Sequence, residues 1–103
     1  MNEELYQLRI AVGIAGRNVY SRQLAYIKFI RNPISRHLPE TRQALREYLG
    51  AAEEYQRALS DLWIGLLNAA PFPGREKEME QMMTLHAIIF SKLHVTRLFE
   101  FGE

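Results

Sequence analysis

The chain has 103 residues, no cysteine, and 13 basic against 12 acidic groups, for a formal charge of +1. That length suits one domain with a modest core, and the missing thiols exclude disulfides and thiolate metal sites. No apolar run approaches the roughly 20 residues of a membrane span, and the N-terminal stretch, with Glu3 and Glu4, lacks the basic-then-apolar order of a signal peptide. The expectation is a soluble cytoplasmic protein with no membrane partner.

Residues 3–30 read as the first helix, with Asn2 as N-cap and the acidic Glu3 and Glu4 in the first turn, where they suit the helix dipole. Leu5, Leu8, Val12, Ala15, Val19, Arg22, Tyr26 and Phe29 form a ladder spaced 3-4-3-4-3-4-3, which keeps one stripe on a single face. Gly13 and Gly16 each lower helix propensity by about 1 kcal/mol relative to alanine. Beside Ala11 and Ala15 they read as a close-packing surface, with a local helix break as the alternative. Asn32-Pro33 ends the element, because the residue before proline is pushed out of the α region. The connector from Asn32 to Pro39 is too polar and too broken for a regular element.

The second helix is predicted over residues 40–69. It carries a ladder of the same spacing: Leu45, Tyr48, Ala52, Tyr55, Leu59, Leu62, Leu66 and Ala69. Leu49, Trp63 and Leu67 widen the stripe, while Arg46, Glu47, Glu53, Glu54, Arg57 and Asp61 populate the other side. Two such ladders specify an antiparallel hairpin. With Phe29 opposite Leu45 and Leu5 opposite Ala69, the one polar rung, Arg22, falls opposite Ala52 with Glu53 in reach.

Ala70-Pro71-Phe72-Pro73-Gly74 is a turn, and residues 75–99 read as a third long helix. On a helical wheel its apolar residues occupy three arcs. Met82, Leu85, Ile89 and Leu93 share the first; Met83, Ala87, Phe90, Leu98 and Phe101 the second; Ile88, Val95 and Phe99 the third. A hairpin covers only about half of such a helix, so the remainder needs another chain. The predicted fold is therefore all-α, a long antiparallel hairpin plus a third long helix, assembling as a homodimeric bundle with Ile88, Phe90, Val95, Leu98 and Phe99 at the interface.

Charge is unevenly spread: residues 5–46 carry eight basic groups against Glu40 alone, whereas residues 47–103 carry five basic and nine acidic groups. Arg17, Arg31, Arg36 and Arg42 form the predicted basic rim of a partner-binding surface. With Lys28, Tyr20 and Tyr26 they also fit a nucleic-acid-binding reading, in which arginines meet phosphates and tyrosines stack on bases.

Chemical motifs are sparse. Met83 and Ser91 stand three positions before His86 and His94, where a di-iron bundle would need glutamate, so no metal is expected. No Gly-x-Ser-x-Gly or Walker-type loop occurs, and no cofactor is expected. Arg31-Asn32-Pro33-Ile34-Ser35-Arg36-His37 resembles the arginine-to-histidine motif of HEPN ribonucleases, small all-helical dimers that cleave RNA. The resemblance spans seven of 103 residues. It implies phosphate stabilisation by Arg31, proton transfer by His37 and an organising role for Asn32. The leading expectation is different: a non-enzymatic dimeric interaction module, an adaptor or inhibitor of a larger protein, using apolar helix surface rimmed by arginine.

Overall fold

A computed structural model describes residues 3–101, with side-chain surroundings described for residues 3–98. Three helices account for nearly all of it: α1 (Glu3–Ile30), α2 (Pro39–Asn68) and α3 (Arg75–Phe101). The expected cap Asn2 lies outside the described residues. There is no strand among the described residues, and the molecule is a flat rod of 54 × 23 × 15 Å. Among those residues, no helix is long and apolar enough to cross a membrane.

Glycine does not interrupt α1. Gly16 is where Tyr55 of α2 approaches, since a Cβ there would lie 3.2 Å from the Tyr55 ring. Gly13 faces no other helix; the nearest atom to its absent Cβ is an Arg17 guanidinium nitrogen at 3.6 Å. The two glycines thus differ in use, one admitting a neighbouring ring and the other lying beneath an arginine of its own helix.

The connector after α1 is more ordered than its polarity suggested. Ser35–His37 form a single 3-10 turn. The Asn32 side-chain oxygen accepts the Ile34 N–H at 2.9 Å, and the Ser35 hydroxyl donates to the Phe29 carbonyl at 2.9 Å. Thr41, buried in the first turn of α2, donates its hydroxyl to the Ser35 carbonyl. Short polar side chains have satisfied the backbone groups that a chain reversal leaves open. Leu38 is extended, and Pro39 opens α2 at a position where its missing N–H costs nothing.

Helix α2 is the central element. Ala52, Leu59, Leu62 and Leu66 are fully buried, because α1 and α3 both pack on the stripe that holds them. From α1 come Leu5, Val19 and Tyr26, the last stacked on Tyr48 with ring centroids 6.1 Å apart. From α3 come Met82, Ile89 and Leu93. Burying a leucine side chain contributes about 1.5–3 kcal/mol, so this stripe is the main stabilising feature. The backbones of α1 and α3 stay apart from each other among the described residues.

The Arg22 guanidinium does not pair with Glu53. It pairs with Glu47 at 2.8 Å and remains half exposed, while Glu53 pairs with Arg97 of α3. Both carboxylates are partly solvated, Glu47 at 40 % and Glu53 at 51 %, so each pair keeps much of its hydration. At the turn before α3, Gly74 adopts φ of 86°, a left-handed conformation that a side chain disfavours. Arg75 then donates to the Ala69 carbonyl at 2.8 Å, closing the end of α2.

Candidate interaction surface

One arc of α3 is spent on the core, and the described large apolar residues of the other two are left in solvent. Met82, Ile89 and Leu93 are buried, whereas Met83, Ile88, Phe90, Val95 and Leu98 are exposed, Met83 at 60 % and Phe90 at 59 %. The reason is geometric. Among the described residues the backbone of α3 approaches that of α2 but not that of α1, and one helical neighbour covers only a narrow stripe.

Beside the exposed strip, α2 and α3 enclose a cleft of about 400 Å³ whose walls include Trp63, Ile64, Met83, His86 and Ala87 over a floor of Leu59 and Met82. A second depression continues between the same helices, bounded by Gln56, Phe90, His94 and Arg97. The Trp63 indole N–H is buried without an acceptor among the described residues. Such a group costs about 1–3 kcal/mol. Trp63 and Ile64 extend the apolar strip onto α2, and neither belongs to the interface set expected from α3 alone. Trp63 was visible as a residue widening the α2 stripe; that it meets Met83 depended on the α2–α3 crossing.

The expected interface residues do not form one face. Phe90 and Leu98 stand on the cleft side with Met83 and Ala87. Ile88 and Val95 lie about 140–160° round the helix from Phe90, so a single flat partner cannot cover both groups. The Phe99 side chain lies outside the described residues.

The basic residues are likewise divided. Arg9, Arg22, Arg57, Arg75 and Arg97 are all in ion pairs. Arg17, Arg31, Arg36 and Arg42 are exposed, and none makes an ion pair with a described residue. Arg17 stands apart near the middle of α1, lying over Gly13. Arg31, Arg36 and Arg42 gather around the α1–α2 connector, with Arg46 one turn further along α2. Between them Ile34 is 85 % exposed, more than any other large apolar side chain described, and Leu38 is exposed as well.

Of the residues implied by the ribonuclease resemblance, Arg31 and His37 are exposed at the two ends of the connector. Asn32 already spends its side-chain oxygen on the turn. Among the described residues, no three His, Cys, Asp or Glu side chains are grouped so as to hold a metal ion. Tyr26, one of the tyrosines considered for base stacking, is buried against Tyr48, while Tyr20 is exposed.

No family model matches the chain, and neither the curated proteins nor the solved structures searched include a detectable relative.

Proposed function

We propose that the protein is a non-enzymatic helical interaction module, a homodimer that acts as an adaptor or inhibitor of a larger protein. The observation that carries this reading is the exposed strip Met83, Phe90 and Leu98 beside the Trp63–Ile64 cleft. An apolar strip on a chain this small resembles half of a helix–helix interface, rich in the aromatic and methionine side chains that dominate such contacts. The contacts of Leu8 with Gly65, Gly16 with Tyr55, Arg22 with Glu47 and Tyr26 with Tyr48 support the antiparallel hairpin as its scaffold. The Arg97–Glu53 pair draws the end of α3 toward the half of α2 that bears Arg42 and Arg46. That favours arginine at one end of the strip.

A molar mass measured by sedimentation equilibrium tests the dimer. The expected value is twice the 12.0 kDa of the chain at micromolar concentration, falling to the monomer in Phe90→Glu with helicity unchanged. A wild-type monomer under those conditions removes the dimer and weakens the strip as an interface.

Nucleic-acid binding is the second reading, favoured by the unpaired Arg31, Arg36 and Arg42. It requires affinity that falls steeply with salt and drops in Arg31→Ala and Arg36→Ala.

A further inference from the structure

We propose that the α1–α2 connector is a membrane-surface tip that docks on an anionic lipid leaflet by inserting Ile34 and Leu38 between headgroups held by Arg31, Arg36 and Arg42. The inference goes beyond the interaction-module reading and uses none of the residues of the α3 strip.

Three observations converge on this end of the rod. The first is charge: from residue 28 to residue 46 the chain carries Lys28, Arg31, Arg36, Arg42 and Arg46 against Glu40 alone. The arginines elsewhere on the helices, Arg17 excepted, are neutralised by carboxylates, so the basic surface at the connector is a concentrated one. The second is apolar exposure at the same place. Ile34 projects at 85 % exposure beside exposed Leu38, although an isoleucine inside the core would contribute to stability.

The third is that the projection is built in. The Asn32–Ile34 turn, the two acceptors of the Ser35 hydroxyl and the Thr41 bond to Ser35 hold the connector in one shape, with prolines at 33 and 39. A rigid loop that holds an apolar side chain out in water is already arranged for its partner.

Lipid fits these features better than nucleic acid. A phosphate backbone satisfies the arginines but leaves Ile34 and Leu38 in water, and residues 31–42 include no Phe, Tyr or Trp, His37 being the one ring there that could stack on a base. The Asn32 side-chain oxygen, which a base edge would need, is engaged within the turn. The headgroup–acyl boundary takes both chemistries at once, anionic phosphates for the guanidinium groups and hydrocarbon for the two aliphatic side chains. The expectation of no membrane partner rested on the missing membrane span, and a peripheral contact requires none.

The test is flotation of the full chain with phosphatidylcholine vesicles containing about 30 % phosphatidylserine, with pure phosphatidylcholine vesicles and a labelled duplex DNA as parallel arms. Expected are binding to the anionic vesicles only, a loss of about tenfold or more in Ile34→Ser, and a comparable loss in Arg31→Ala/Arg36→Ala. Circular dichroism confirms that the variants remain folded, as the exposure of all three positions implies. The proposal is overturned by absence of binding to anionic vesicles, by equal binding to neutral ones, or by anionic binding that Ile34→Ser leaves unchanged. Binding of duplex DNA without binding of vesicles overturns it in favour of a nucleic-acid partner.

Discussion

Arg9 of α1 and Glu78 of α3 meet in a two-pronged pair, with Nε 2.7 Å and Nη2 2.8 Å from the two carboxylate oxygens. The same guanidinium lies 6.0 Å from the centroid of the Phe72 ring in the turn before α3. Since the backbones of α1 and α3 do not approach each other among the described residues, this arginine ties the third helix to the first at one end of the rod. Glu78, through its hydrogen bonds, holds the Arg9 guanidinium even further above the range in which it could lose its proton. A double-mutant cycle of Arg9→Ala and Glu78→Ala, read from urea unfolding, is expected to give a coupling of about 0.5–1 kcal/mol because both groups are partly solvated. In 1 M salt, where the Debye length is about 3 Å, much of it should vanish. A coupling that salt leaves unchanged would show the pair acting as packing around Phe72.

Two glycines of α2 are predicted to respond to alanine with opposite sign. A Cβ on Gly50 would meet nothing within 4 Å, so Gly50→Ala should stabilise the fold by about 0.5–1 kcal/mol through helix propensity alone. A Cβ on Gly65 would fall 2.7 Å from Leu8 Cδ1 and 3.2 Å from Leu5 Cδ2, and Leu5 is buried and cannot simply rotate away. Overpacking costs about 1–3 kcal/mol, enough to exceed the propensity gain, so Gly65→Ala should destabilise. Thermal melts of the two variants decide it, and equal stabilisation by both would argue against close packing of α1 on α2 at Gly65.

Alkaline pH should weaken the protein through its buried tyrosines. Burial holds the Tyr48 hydroxyl above its ordinary value near 10, with Thr96 acting in the opposite direction, and burial does the same to Tyr55. A phenol whose folded value is raised keeps its proton in the native state after the unfolded chain has lost it. Stability is therefore complete below about pH 10 and falls as pH rises through the folded value. Melting temperature measured from about pH 8 to pH 11 should decline above pH 10, and the decline should be shallower in Tyr48→Phe. An identical slope in that variant would assign the effect to other groups.

Local patterning along the chain carried a large part of this. Helical period and punctuation by Asn32-Pro33 and by Pro71 through Gly74 are properties of neighbouring residues, so three helices without strands could be read directly. The ladder positions Leu45, Tyr48, Ala52, Leu59, Leu62 and Leu66 are buried because a stripe of that width leaves α2 one way to face its neighbours. The same arithmetic separated the buried arc of α3 from its exposed ones.

Other features depend on where distant residues end up, and only the tertiary structure decided them. Arg22 pairs with Glu47, and Glu53 with Arg97 of α3, because the carboxylate that a long side chain meets is set by how the three helices come together. The α2–α3 crossing joined Trp63 and Ile64 to Met83 while setting Ile88 and Val95 on another side of α3. Composition counted ten arginines, but their partition into a neutralised set along the helices and an unpaired set that, Arg17 apart, lies toward the connector bearing Ile34 arises from three-dimensional pairing. Helices are determined by interactions a turn apart; surfaces are assembled from residues tens of positions apart, whose meeting no local period encodes.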